Sequence, residues 1–168
     1  MSTRHATVES RFGELTLVAE DDALIGVYFH HHWYRPSTDT FGPRVDGDAL
    51  LRETDIQLTA FLAGRRRHFD LPVRLRGDHR QRRIWDWLTA IPYGHTVTYG
   101  DLADELADGT TAQQVGAAVG RNPISIVVPC HRVVGKNGRL TGYAGGLKRK
   151  QFLLDLEEPA EVRAARLF

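Results

Sequence analysis

Apolar and polar residues alternate through "ATVESRFGELTLVAEDDALIGVYFH", residues 6–30, around the turn signal "EDDA". A period of two predicts two or three antiparallel strands. The following "HHHWYRPSTDTFGPRVDG" is rich in Pro, Gly, Ser and Thr, shows no period, and reads as a solvated loop. From Asp48 to Leu62 the apolar residues Leu51, Ile56, Leu58, Phe61 and Leu62 recur at roughly helical spacing, and the pattern ends before Gly64. "HFDLPVRLRG" is then a short extended piece.

The character of the chain changes near Arg76 and Gly77. "HRQRRIWDWLTAI" places Ile84, Trp85, Leu88 and Ile91 on one helical face and stops at Pro92. Two shorter helical stretches, "YGDLADEL" and "TAQQVGAAVG", flank the turn "ADGT" and together outline a helix-turn-helix. The second of them has no long charged side chain before Arg121, so its backbone can approach another surface closely, a neighbouring helix included. After Pro123, "ISIVV" reads as a buried strand or extended run leading to Pro129 and Cys130. "GKNGRLTGYAGG" is a glycine-rich loop and "LKRKQFLLDLEE" a final amphipathic helix. The pattern predicts an α/β (α+β) protein: residues 1–76 form a small antiparallel-sheet domain with a helix, and residues 77–168 a mostly helical domain.

Composition is that of an ordinary folded protein, with 42% hydrophobic and 26% charged residues. Lys and Arg number 22 against 21 Asp and Glu, so a polyanion would have to be held by a local patch. Basic residues do cluster, in "GRRRHF", "RLRGDHRQRR" and "LKRK", and such runs read first as solvated faces. One cysteine excludes an internal disulfide and suits a reducing compartment. The first residues, "MSTRHATVES", carry no long apolar run, and no stretch has the length to cross a bilayer, so a cytoplasmic protein without membrane association is expected.

Cys130 is the candidate nucleophile. A thiol reacts as thiolate, which requires a base or cation nearby, and His131 is the adjacent base. Neighbouring side chains in a strand point to opposite faces, so contact between them requires a turn or a bridging water. By itself "PCH" is also compatible with an inert buried cysteine.

The combination of motifs is more specific. "NPISIVVPCHRVVG", followed by "GYAGG" and "LLDLE" and preceded by "IPYGHTVTYGDLA", resembles the O6-alkylguanine-DNA alkyltransferases, also called methylated-DNA:protein-cysteine methyltransferases. "FLAGRRRHFDLP" and "FGELTLVA" extend the resemblance over most of the chain. It implies single-turnover repair of O6-alkylguanine in double-stranded DNA, with no cofactor, by a second domain that holds both the helix-turn-helix and the active-site cysteine. Cys130 would be the acceptor, His131 its activator through a water, Glu157 the group that orients the imidazole, and Asn122 the brace of the active-site backbone, an arrangement with the logic of a triad. Tyr99 would hydrogen-bond the flipped guanine, carbonyls around Cys130 and Val133 would accept from its amine, and Tyr143, Ala144 and Gly145 would wall the pocket. The second helix of the motif would enter the minor groove, which puts Gln113, Gln114, Gly116, Ala117 and Arg121, with Lys136 and Arg80, at the DNA. A monomer, acting singly or cooperatively along DNA, is expected.

Two departures stand out. Family members usually carry an arginine where this chain has Gln113, and an aromatic residue where it has Arg80. Some also hold a structural zinc, but His30, His31 and His32 are consecutive and have no cysteine partners, so no metal is expected. Rival readings are a non-enzymatic binder of alkylated DNA, against which Cys130 is retained, a cysteine hydrolase, for whose distant histidine the chain shows no matching pattern, and a helix-turn-helix regulator, for which the small-residue helix offers few base-reading side chains.

Overall fold

The computed structural model describes residues 2–166. Strands β1 (Thr3–Ser10), β2 (Gly13–Glu20) and β3 (Ala23–Phe29) form an antiparallel meander in the order β1-β2-β3. Two-residue connections fix the register, with Ser10 opposite Gly13 and Glu20 opposite Ala23. At the second, Asp21 takes a φ of 52°, which a short polar side chain tolerates. Leu15, Leu17 and Ala19 on the central strand lie in the main core, while Val18 shares a smaller cluster with Tyr28 and Phe41 on the other side. Phe41 reaches it from the 3-10 turn Thr38–Phe41, and its ring stacks on Tyr28 with centroids 5.4 Å apart. The loop is therefore partly a lid over the sheet.

Helix α1 (Ala49–Leu62) begins at Asp48, whose carboxylate accepts the Leu51 N–H at 3.0 Å. Its buried side is Leu51, Thr54, Gln57, Leu58, Phe61 and Leu62. Ile56 is 59% exposed, contrary to the sequence reading, because polar residues take the place it was given. Thr54 donates its hydroxyl proton to Leu50 O, and Gln57 clamps the Asp70 backbone from both ends, its Nε2 donating to Asp70 O at 3.1 Å and its Oε1 accepting the Asp70 N–H at 2.8 Å. That clamp holds the extended segment, which then meets β3 through a bridge between Val73 and Leu24.

The second half contains α2 (His79–Thr89), β4 (Val97–Thr98), α3 (Tyr99–Leu106), α4 (Ala112–Gly120), β5 (Val133–Val134), α5 (Leu147–Glu157) and α6 (Ala160–Arg166). Three of these helices start with reciprocal capping boxes, Asp78 with Gln81, Thr98 with Asp101 and Thr111 with Gln114. Each such cap contributes about 1 kcal/mol and makes a short helix worthwhile at that position. α3 and α4 are the expected helix-turn-helix, joined through Ala107 in the left-handed region and Gly109. α5 is not the last helix, since the chain turns at Pro159 into α6.

"ISIVV" is not a strand. Ile124 makes a single bridge to Val27, after which the chain turns and Ile126 takes a φ of 71°. Asn122 causes this, since its amide donates to Val128 O at 2.9 Å while its carbonyl oxygen accepts the Ile124 N–H at 3.0 Å. Both ends of the apolar run are thereby pinched together over buried Ile124, Ile126 and Val128. Left-handed backbone is rare for a β-branched residue and persists only where its surroundings hold it. β3 helps, with Val27 N–H donating to Pro123 O and Val27 O accepting from Ser125. One apolar core thus runs from the sheet through α1 and α2 to Cys130 and Leu153.

Candidate active site

Cys130 opens a 3-10 turn, Cys130–Arg132, directly after the pinched segment. The turn removes the strand alternation that would have separated Cys130 from His131. Both residues are buried. His131 Nε2 lies 2.6 Å from Glu157 Oε2, and its Nδ1 is buried with no protein partner among the described residues. Burial lowers the His131 pKa below its ordinary value against the pull of Glu157. Burial also pushes the Glu157 carboxyl up, but hydrogen bonds from His131 and Arg132 outweigh it and its pKa falls to about 2. A neutral imidazole facing an ionised carboxylate donates through Nε2–H, which leaves Nδ1 as a bare acceptor. The geometry prepares a base.

Arg132 completes that arrangement. Its Nε donates to Glu157 Oε1 at 2.7 Å, one terminal nitrogen to Oε2 at 3.0 Å and the other to Ile91 O at 2.7 Å. Glu157 is thus shared between an arginine fork and the histidine. The sequence reading did not single out Arg132, although its place in "PCHRV" and its guanidinium geometry suit this bidentate role.

The thiol's own surroundings pull in two directions. Burial raises the Cys130 pKa, while the Asn122 side chain and the charge of Lys150 favour the thiolate. Lys150 is fully buried on α5, its Nζ donating to Thr141 O at 2.8 Å and standing 5.8 Å from the Tyr99 ring centre. Burial lowers its pKa to about 8, so it remains mostly cationic at neutral pH. The "LKRK" run is therefore only in part a solvated face. Lys148 is exposed, but Arg149 donates to Gly145 O and Phe12 O, and Lys150 lies inside. The signal was present in the helical period, since Lys150, Leu153 and Glu157 are the buried residues of α5 and recur at spacings of three and four.

Of the other residues expected at the site, Tyr99 begins α3, and both it and Tyr143 have phenol pKa values raised by burial and by nearby Cys130. The Tyr143 hydroxyl is buried without a protein partner. Val133 is buried, its N–H bonded to Cys130 O and its strand paired with Val97. Ala144 and Gly145 are buried, and a Cβ on Gly145 would come within 2.5 Å of the Phe29 ring. On α4, Gln113, Ala117 and Arg121 are exposed, and Gly116 is half-buried with the Tyr99 ring next to it. Gln114 is exposed, but its Oε1 accepts the Thr111 N–H in the cap, so only its amide donors remain. Lys136 and Arg80 are exposed on the turn after β5 and at the start of α2.

Known proteins share this arrangement of sequence. The family described as "6-O-methylguanine DNA methyltransferase, DNA binding domain" matches residues 79–159. A methylated-DNA–protein-cysteine methyltransferase of Mycolicibacterium paratuberculosis is 44% identical over 98% of this chain and 98% of its own. The chain belongs to the methylated-DNA–protein-cysteine methyltransferase family. Another member, from Methanosarcina acetivorans, is 40% identical over 91% of this chain and 97% of its own. The crystal structure of Mycobacterium tuberculosis OGT in complex with DNA superposes with a TM-score of 0.84 at 40% identity, covering 95% of this chain and 97% of that one. As a methylated-DNA–protein-cysteine methyltransferase, the chain has the mixed α/β fold expected of it, and its departures at Gln113 and Arg80 lie on exposed helix surface rather than around Cys130.

Proposed function

We propose that this protein repairs DNA by direct reversal, moving an alkyl group from O6 of guanine to Cys130 Sγ. The observation that carries the reading is the imidazole of His131, fixed by Glu157 with Nδ1 left as a buried acceptor one residue from an enclosed thiol. A water bridging Cys130 and His131 Nδ1 would take the thiol proton to the imidazole as the S–C bond forms and the C–O bond breaks. The guanine takes the electron pair of the broken C–O bond and recovers the thiol proton from His131, while the Tyr99 hydroxyl hydrogen-bonds the departing base. Lys150 and Asn122 stabilise the sulfur's negative charge while it lasts. Because the product is a thioether, each molecule acts once.

A thiol that is 3% exposed cannot reach an oxygen inside a base stack, so the nucleotide must be turned out into the protein. The small exposed face of α4 suits the minor groove, where a close backbone approach is needed and little sequence is read. Tyr99, beside Gly116 of α4 and near Cys130, stands between the groove and the acceptor. Val133, Tyr143, Ala144 and Gly145 would hold the extruded base, and Lys136 and Arg80 would meet phosphates. Division into units 1–76 and 77–168 gives the first the part of a scaffold, since β3 braces the turn that carries Asn122 and Cys130. We infer a monomer acting in the cytoplasm; among the described residues no helix is long and apolar enough to cross a membrane.

The test is incubation with a duplex containing O6-methylguanine, followed by peptide mass spectrometry. A single methyl group on the Cys130 peptide, missing in Cys130→Ala, is the expected result. Repeated turnover per protein molecule, or methylation elsewhere, would overturn it.

A further inference from the structure

Between two anchored residues, the loop after β3 carries two aromatic rings into solvent. On one side His32 Nδ1 accepts the Phe29 N–H at 3.2 Å, and its ring lies on Phe29 with centroids 5.6 Å apart. Burial, with Arg35 and Arg149 nearby, holds this imidazole down to about 4, so it stays an acceptor at neutral pH. On the other side Arg35 donates to Thr16 Oγ1 at 3.1 Å and Thr38 Oγ1 at 3.2 Å. Between them Trp33 and Tyr34 are 52% and 62% exposed. Tyr34 has a φ of 56°, which a bulky residue adopts only where its neighbours impose it. The rings are thus presented on a held loop rather than a slack one, which lowers the ordering cost of any contact they make.

Their neighbours identify the partner. The Arg121 guanidinium lies 3.9 Å above the Tyr34 ring centre. Arg121 caps the C-terminal end of α4 and continues the exposed positions Gln113 and Ala117, four residues apart along one helical face. Tyr34 therefore extends the outer face of α4 into the first half of the chain. Trp33 joins the same edge to the pocket wall, its backbone N–H donating to Ala144 O at 3.2 Å and its ring lying against Gly142.

We propose that Trp33 and Tyr34 form a second contact on the same DNA duplex that α4 binds, gripping the strand that runs past the C-terminal end of that helix. The proposal rests on α4 being the DNA-contacting helix. Arg121 supplies the positive charge a phosphate needs, the phenol and indole donate to phosphate oxygens, and ring faces pack on a sugar or an unstacked base. The strand beside the extruded nucleotide offers all of these.

Tyr34→Ala, made in a Cys130→Ala background so that no transfer occurs, should bind an O6-methylguanine duplex about tenfold more weakly in fluorescence anisotropy, the loss expected of one aromatic contact. In the Cys130 protein, the same substitution should slow methyl transfer from the duplex but not from the free base O6-methylguanine. Unchanged duplex affinity overturns the proposal, as does an equal slowing with duplex and free base, which would place the effect in the pocket. A wild-type dimer in sedimentation that Tyr34→Ala dissolves would assign the rings to a second copy of the chain instead. Failure of wild type to transfer methyl would remove only the transfer chemistry, since the affinity comparison is read without it.

Discussion

Lys150 is a full-length cation inside the protein, where an ammonium group is costly unless something answers its charge. Thr141 O and the Tyr99 ring answer it in part, and an ionised Cys130 would answer the rest. Lys150→Met keeps the chain length and removes the charge. Transfer at pH 7 should slow about tenfold, the equivalent of a one-unit rise in the thiol pKa. The sign follows from Lys150 itself: it is cationic below about 8 and loses its proton as pH rises through that value, so the wild-type advantage is present at neutral pH and fades above it. Single-turnover rates measured across pH check this, and parallel profiles would exclude an electrostatic role. His131, with its pKa lowered by burial, puts the acid limb of both profiles below pH 6.5. Cys130, His131, Asn122 and Glu157 were legible as a motif, whereas Lys150 was hidden in a run of basic residues whose burial only the helical phase of α5 reveals.

Among the elements, helices were readable because their apolar residues repeat with a helical period and their caps are written locally. α4 has the weakest intrinsic preference of them, being built of Gly, Ala, Val and Gln. Its cap and its packing compensate, with Val115, Ala118 and Val119 buried and Trp85 Nε1 donating to Ala118 O at 2.8 Å. Its outer face carries Gln113, where the resemblance to the alkyltransferases implies an arginine. Gln113→Arg should tighten duplex affinity and speed transfer several-fold, checked by anisotropy and single-turnover kinetics, because a guanidinium at this exposed position adds positive charge and paired donors toward DNA. If neither changes, Gln113 does not face the duplex. The segment 124–128 misled the reading for a definable reason: β-branched residues favour strands, but one buried Asn122 claims the backbone groups a strand partner would need.

At the scale of the molecule, Arg132 ties the acceptor turn to α5 through Glu157 and to the segment just after α2 through Ile91 O. Removing one member of a buried pair leaves the other uncompensated, so Arg132→Ala should cost about 3 kcal/mol or more in denaturant unfolding. Glu157 also ties stability to pH. Its folded pKa is depressed from 4.5 to about 2, so its contribution is complete above 4.5 and is lost as pH falls toward 2. Glu157→Gln should flatten the acid limb of the unfolding curve. The amino-acid sequence determined the strand meander, the helix-turn-helix, the motif around Cys130 and the small outer face of α4, because these depend on local period, capping and residue type. Tertiary structure alone decided that the apolar run before Cys130 turns back on itself, that Arg132 lies inside, that Ile56 does not, and that Tyr34 meets Arg121. Those outcomes depend on which distant group takes a backbone hydrogen bond or answers a charge, and local pattern carries no record of that.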